Sequence, residues 1–404
     1  MKKRLTSPKG VYWKVARSWM FLSAMHEIEA EAVIIGAGVA GLSTALHLAQ
    51  RGLKNIVVLD EDLKLGGHAS GRNAGMIRQT VSDPFLAKLA VEGRRALGKA
   101  GKLGWRNLKF CSPGSLLLAK GQEVAELEKI RSVLQRKRVV TRWLSKKEAG
   151  RRVTLIRDGD FEKALFCPSD ALLDIGGLLR GFLKAIRRDG VSLYLGHGLR
   201  SVRKKNGQFV IFAGDKVFRA GVVVNASGAW AGLVSHKAEA APVPLRAYRR
   251  HLYVSRSSAR IKPHWPFVWD LTHHFYFRPV SGRRLLLSPC DKVPFRLKLG
   301  SAKGVAESID PKMRKELLAK LSRFSPHFGF LRIEKEKAGL RTMTPDGRFV
   351  IGEDQKQKGF FWVAGLGGHG VTTCLSVGKL ASSLILGKKT DFFLKKALSP
   401  GRFV

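Results

Sequence analysis

Three glycines carry the first recognisable chemistry in this chain. Gly36, Gly38 and Gly41 stand in Val33-Ile34-Ile35-Gly36-Ala37-Gly38-Val39-Ala40-Gly41, at the spacing G-x-G-x-x-G. At that spacing the first glycine makes a tight turn and the second lets a pyrophosphate approach the backbone. The third lets a helix pack closely on a strand. Asp60 closes the apolar run Ile56-Val57-Val58-Leu59 and is followed by Glu61. It stands where a carboxylate accepts hydrogen bonds from an adenosine ribose. A long glycine-rich connection then holds His68, Ser70, Arg72 and Asn73. Its small residues let backbone lie against a flat ring, and its polar side chains can reach ring nitrogens and oxygens. Near the other end of the chain a second cluster, with Gly367, Gly368, His369 and Gly370, leads into Val371-Thr372. It opens a helix whose N-terminus faces an anion.

The elements that must position these groups are legible in the same stretches. An apolar strand, the glycine turn, an alanine- and leucine-rich helix and a second strand form the βαβ unit that binds a dinucleotide. A nicotinamide-binding unit would normally continue straight into another helix, whereas here a loop intervenes, and loops of that length inside compact domains are usually functional. Asp83-Pro84 supplies a cap and a first-turn proline for a helix running to about Lys99. A buried strand is expected over 114–119 and a charged helix over 124–135. An amphipathic helix follows, with Leu172, Leu179, Phe182, Leu183 and Ile186 on its apolar side. Short strands are expected at 191–195, 208–212 and 216–219, with Asn206-Gly207 as a hairpin turn. A further strand, 221–224, stops at Asn225-Ala226-Ser227-Gly228-Ala229-Trp230, where small residues again suit close approach to a ligand.

From Pro242 to about Phe328 strands dominate (250–255, 275–279, 284–288), followed by a helix over 311–324. The expected class is therefore α/β, a Rossmann-type cofactor domain with an inserted antiparallel-sheet substrate domain of α+β character. The cofactor domain is expected to be discontinuous, over 29–105, 160–238 and 338–404. Residues 106–159 and 239–337 form the substrate domain, and 1–28 form a basic N-terminal extension.

Composition narrows the class further. At 404 residues two domains are the default. No apolar run approaches the roughly 20 residues needed to span a bilayer. Cys111, Cys167, Cys290 and Cys374 lie far apart, with no spacing that suggests zinc, which suits reduced thiols and no metal site. Lys and Arg number 73 against 31 Asp and Glu, a net charge of +42. The basic residues are spread in short runs such as Arg136-Lys137-Arg138, without any nucleic-acid recognition pattern. A generally basic surface is expected, with a peripheral contact with an anionic membrane as one use of it. In the first 25 residues Lys14 and Arg17 interrupt what would be the apolar core of a secretory signal. The expected location is cytoplasmic, peripheral to the inner face of the membrane if the charge serves that contact.

Taken together, the motifs VIIGAGVAG, HASGRNAG, VNASGAW, AGLRTMTPDG and FFWVAGLGGHG resemble the D-amino-acid oxidase superfamily of FAD-dependent oxidoreductases. That group includes glycine oxidase, sarcosine oxidase and the D-amino-acid dehydrogenases. Tyr248-Arg249-Arg250, Phe275-Tyr276-Phe277-Arg278-Pro279 and Leu398-Ser399-Pro400 look most like D-arginine dehydrogenase.

The resemblance implies that Gly36, Gly38, Gly41 and Asp60 hold the ADP half of a non-covalent FAD. It places His68, Ser70, Arg72 and Asn73 along the isoalloxazine, with Gly228 and Trp230 closing the pyrophosphate side. The helix after Gly370 would point its positive end at the flavin. Arg341 would clamp a substrate carboxylate, Tyr276 would bond the same group, and Arg249 or Arg250 would add a contact. Thr342 stands where covalent sarcosine oxidases carry cysteine near this motif, while attachment through His68 stays open. His369 replaces an aromatic residue frequent in the D-arginine dehydrogenase-like proteins.

The implied reaction is hydride transfer from Cα of a small D-, N-methylated or unsubstituted amino acid to flavin N5, giving an imino acid. The electron acceptor (oxygen, quinone or electron-transfer protein) is left open. A 2-hydroxy-acid dehydrogenase and a flavin-containing subunit of a larger assembly are the other readings.

Overall fold

The computed structural model describes residues 27–105, 108–297 and 308–404. The extension expected over 1–28 falls, up to residue 26, outside the described residues.

The chain opens with β1 (Glu27–Ile35), α1 (Val39–Ala49) and β2 (Ile56–Leu59). After the glycine-rich loop come α2 (Pro84–Gly98), β3 (Ser115–Ala119), α3 (Val124–Arg136), β4 (Arg142–Leu144) and β5 (Lys163–Cys167). Then follow α4 (Ile175–Arg188), β6 (Ser192–Tyr194), β7 (Leu199–Lys205), β8 (Gln208–Ala213) and β9 (Lys216–Asn225). The strand-rich stretch supplies β10 (Arg246–Ser255), β11 (Phe267–Asp270), β12 (Phe275–Val280), β13 (Arg284–Ser288), β14 (Val293–Phe295) and α5 (Pro311–Phe324). The chain ends through β15 (Ile333–Met343), β16 (Val350–Glu353), β17 (Phe360–Ala364), α6 (Gly370–Ile385) and α7 (Phe392–Leu398).

The first sheet has the order β7-β8-β9-β1-β2-β6, with β17 beside β9 and β16 beside β17. β2, β1, the second half of β9 and β17 run parallel. The whole of β2 and β17 is buried, the continuous apolar pattern of strands covered on both faces. α1 and α6 cover one of those faces and touch so closely that a Cβ on Gly378 would lie 2.2 Å from Ser43 Oγ.

The second sheet has the order β14-β10-β13-β12-β11-β3-β5-β4, with β15 paired along β10. It packs over a separate core that includes Tyr253, Phe275, Phe277, Phe324 and Phe328.

Several expectations need correction. The two strands expected at 216–219 and 221–224 are one strand, β9, which pairs antiparallel with β8 through its first half and parallel with β17 through its second. Leu172 is not on the amphipathic helix. Asp174 caps that helix through bonds from the Gly176 and Gly177 amides, so Leu172 stays in the preceding strand Ala171–Leu173. The second sheet is mixed rather than antiparallel, because β11 and β3 run parallel. Residues 163–167 pair with β3 and β4, and the strand bearing Arg341 pairs with β10, so both belong to the second sheet by their hydrogen bonding.

One register matters for chemistry. Along β10 and β15, Tyr248 faces Arg341 and Arg250 faces Gly339. Directly paired residues share a face and neighbours along a strand alternate. Tyr248, Arg250 and Arg341 therefore share one face, and Arg249 is on the other.

Candidate active site

A cavity of about 500 Å³ runs from the end of β1 to the start of α6. Its wall is made by the glycine turn, by Asp60 and Glu61, and by the loop through His68, Ser70 and Asn73. Gly228 and Trp230 after β9, Arg341 on β15, and Gly367 and Gly370 complete it. Gly41, Arg72, Arg249, Arg250, Tyr276, Gly368, His369 and Thr372 are not part of that wall.

At the β1 end, Gly36 has φ +108°, and a Cβ there would lie 2.5 Å from the Ala226 carbonyl oxygen. Only glycine fits that turn. A Cβ on Gly41 would lie 2.0 Å from the Gly36 oxygen, so Gly41 serves the helix–strand contact. Gly38 is different: its Cβ would meet only the hydroxyl of Ser70, at 3.1 Å, on the cavity side. The Asp60 carboxylate accepts from the Ala37 amide (2.6 Å) and the Asp62 amide (2.9 Å), which fixes it across the turn. Burial raises its pKa against the opposing effect of those two amides.

The loop residues divide by position. Ser70 Oγ accepts from the Val39 amide (3.0 Å) and so sits at the start of α1. Arg72 Nε donates to the Gly67 oxygen (2.8 Å) and holds the loop's own shape. Asn73 Oδ1 accepts from the Gly75 amide (2.8 Å), closing a turn. His68 Nε2 lies 3.3 Å from Asp62 Oδ2, and its ring packs against Trp230 at 4.5 Å. The other ring nitrogen, Nδ1, and the Trp230 indole N–H are buried without a partner among the described residues.

Beside the Arg341 end is a group of cations, Arg250 buried and Arg341 and Arg78 half-buried. Arg341 forms no ion pair among the described residues, and its guanidinium lies over Gly368, whose Cβ would stand 2.7 Å from Nη1. Burial lowers its pKa first, and the charge of Arg250 lowers it further. Among the described residues, Arg250 Nε and Nη1 are buried without acceptors, and the Tyr276 hydroxyl is buried without a partner. Tyr276 lies against Trp269 at 4.7 Å. Arg249 is elsewhere, with its guanidinium 4.6 Å over the Phe295 ring, as the strand alternation requires.

Arg78 stands in none of the sequence motifs. Its guanidinium lies 4.3 Å over Trp269 and donates to the Thr80 oxygen (3.0 Å) and to His369 Nε2 (3.3 Å). Burial pushes its pKa down to about 10, with Asp170 opposing and Arg341 and Arg250 adding to the shift. Arginine only donates, so His369 Nε2 must be the unprotonated nitrogen. Burial, then Arg78 and Arg341, hold the His369 pKa well below the ordinary histidine value. Thr372 Oγ1 accepts from the Arg78 amide (3.1 Å), which ties the loop exit to α6.

A histidine buried neutral binds fewer protons than it does in the unfolded chain, so acidification below the ordinary value of about 6.5 costs stability. The loss is at most about 1.4 kcal/mol per pH unit, between pH 6.5 and the depressed folded value. His369→Gln keeps an acceptor for Arg78 and removes the titration. Its melting temperature should fall less than the wild type's between pH 7 and pH 5. Identical slopes would show that His369 is not held neutral.

The sequence profile of the FAD dependent oxidoreductase family, DAO, matches residues 31–384. The chain belongs to this family. Among relatives, the mouse mitochondrial pyruvate dehydrogenase phosphatase regulatory subunit is 25% identical over 97% of this chain and 46% of its own length. The 4-methylaminobutanoate oxidase of Paenarthrobacter nicotinovorans is 25% identical over 95% of this chain and 47% of its own length. The chain thus spans about half the length of these two relatives. Glycine oxidase of Geobacillus kaustophilus is 25% identical, covering 90% of this chain and 95% of that protein. In fold, this DAO-family chain is similar to L-proline dehydrogenase from P. horikoshii (TM-score 0.83, 22% identity, 94% of this chain and 98% of that one). It is also similar to the solved glycine oxidase (TM-score 0.80, 22% identity, 93% and 100%).

FAD is the cofactor of the family, and the residues present fit it. The glycine turn leaves Gly38 open on the cavity side, two helix N-termini face the cavity, and His68 Nδ1 and Trp230 Nε1 are buried polar atoms awaiting partners.

Proposed function

We propose that this protein oxidises the C–N bond of a small amino acid, primary or N-alkylated, to an imino acid that water then hydrolyses. The observation that carries this reading is the pair of half-buried Arg341 and buried Arg250 beside the Tyr276 hydroxyl, without a carboxylate partner among the described residues. A buried cation without a counter-charge is heavily penalised, and a substrate carboxylate supplies that charge.

Gly36 and Gly38 with the start of α1 would hold the pyrophosphate, Asp60 the ribose, and His68 and Trp230 the wall further along. Bound FAD supplies a two-electron acceptor. Arg341 offers a planar fork to the carboxylate, and Tyr276 and Arg250 add donors, so the Cα–H is held in one orientation. Neutral His369 keeps Arg78 in place without adding a further charge. Relatives named for 4-methylaminobutanoate, dimethylglycine and glycine support an amino acid substrate. The names of these relatives do not include D-arginine, and that substrate is not proposed.

A second reading rests on the regulatory subunit among the relatives: a flavin-binding subunit without turnover of its own. A screen of glycine, sarcosine, dimethylglycine, proline, D-amino acids and 2-hydroxy acids, with an artificial dye and with oxygen, separates the readings. Amine turnover supports the proposal. Turnover of hydroxy acids alone, or bound flavin with no turnover, would overturn it.

A further inference from the structure

The last helix, α7, presents two adjacent aromatic rings to solvent. Phe392 is 67% exposed and Phe393 71%, while Leu394 and Leu398 of the same helix are buried. The two rings stand edge to face at 5.6 Å. Lys388 and Lys389 precede them, Lys395 and Lys396 follow, and all four lysines are exposed. Asp391, the acid within this segment, is engaged twice: it caps α7 through the Leu394 amide (2.9 Å) and pairs with Lys88.

The end of α3 adjoins this surface. Lys137 is within electrostatic reach of Lys88, Asp391 and Glu92. Three residues further on, Val140 is 60% exposed. The patch therefore combines exposed apolar side chains with lysines that outnumber its two acids.

We infer that α7 docks on an anionic bilayer surface, with Phe392 and Phe393 entering the headgroup–acyl boundary and the flanking lysines lying over lipid phosphates. Paired aromatic side chains bordered by lysines suit that boundary, where the rings leave water and the ammonium groups keep it. Charge decides between this occupant and a second copy of the chain. A copy would bring another +42 molecule against a basic face, whereas an anionic bilayer supplies the missing counter-charge.

The test uses the full-length protein in sedimentation with phosphatidylcholine vesicles, with and without phosphatidylserine, at low and physiological salt. Wild type should bind the phosphatidylserine vesicles and not those of phosphatidylcholine alone. Phe392→Ser/Phe393→Ser should weaken binding about tenfold or more. Replacing the four lysines by glutamine should abolish binding at physiological salt. Because both rings are exposed, unchanged melting and flavin content check that the fold is intact. Wild-type binding by the double phenylalanine variant would overturn the inference, since general charge would then suffice. So would absence of vesicle binding at low salt, or a wild-type oligomer that the phenylalanine variant dissociates.

Discussion

Arg341→Ala is expected to lower kcat/KM by about 3–5 kcal/mol of transition-state stabilisation, roughly 150- to 5,000-fold, with FAD content unchanged. The size follows from the surroundings. Arg341 borders the cavity, its pKa is lowered by burial and by Arg250, and no ion pair reaches it from the described residues. A substrate carboxylate entering there without Arg341 would keep only part of its counter-charge. Arg341→Lys should retain the charge and lose the two parallel donors, raising KM with a smaller loss in kcat. Tyr276→Phe removes one hydroxyl, buried without a partner among the described residues, and should cost about 0.5–1.5 kcal/mol. Steady-state kinetics with the best amine substrate decide the matter. Normal kcat/KM in Arg341→Ala, with a crippled Arg250→Ala, would move the carboxylate to Arg250. Arg249 is no candidate for that role, because it points to the opposite face and packs on Phe295.

Gly38→Val is the second large effect: purified protein should carry almost no flavin while its melting transition survives. The neighbouring glycines would not give so clean a result. A side chain at Gly36 strikes the Ala226 backbone in a turn with φ +108°, and one at Gly41 strikes the Gly36 oxygen, so both disturb the fold itself. At Gly38 a Cβ meets only the Ser70 hydroxyl, which can rotate away, and the remaining bulk projects where the pyrophosphate must lie. Visible flavin absorbance per mole of protein, measured beside a thermal melt, separates lost binding from lost fold. Full flavin content would place the pyrophosphate away from the start of α1.

Much of the frame was legible because each piece had local chemistry. The helix over Pro84–Gly98 was marked by its Asp83 cap and first-turn proline, and the hairpin at Asn206-Gly207 by two residues suited to positive φ, which are found at 50° and 81°. The dinucleotide turn was marked by glycines whose need is steric. What stayed hidden depends on contacts between distant residues. The resemblance implies Ser70 along the ring, while its hydroxyl is tied to the Val39 amide, 31 residues earlier, by a contact no local pattern marks. Arg249 and Arg250 were equivalent on paper, and only the pairing of β10 with β15 assigns them to opposite faces. Arg78 has no motif around it. Its importance comes from Trp269, His369 and Arg341, which the fold brings to it from three later parts of the chain.

The pairing of β17 with β9, and of α6 with α1, has a consequence for biosynthesis. α1 ends at residue 49, but the strand and helix that cover its sheet and its flank are residues 360–364 and 370–385, more than 300 residues later. At about 5–20 residues per second, a ribosome needs roughly 20–70 s to bring them out. Until then the cofactor cradle has an open sheet edge and an uncovered helix, so the nascent first half cannot hold its cofactor as the finished protein does. Holding the early segment soluble during that interval falls to its own surface charge or to chaperones, and cofactor capture waits for residues 360–385 rather than nucleating the fold.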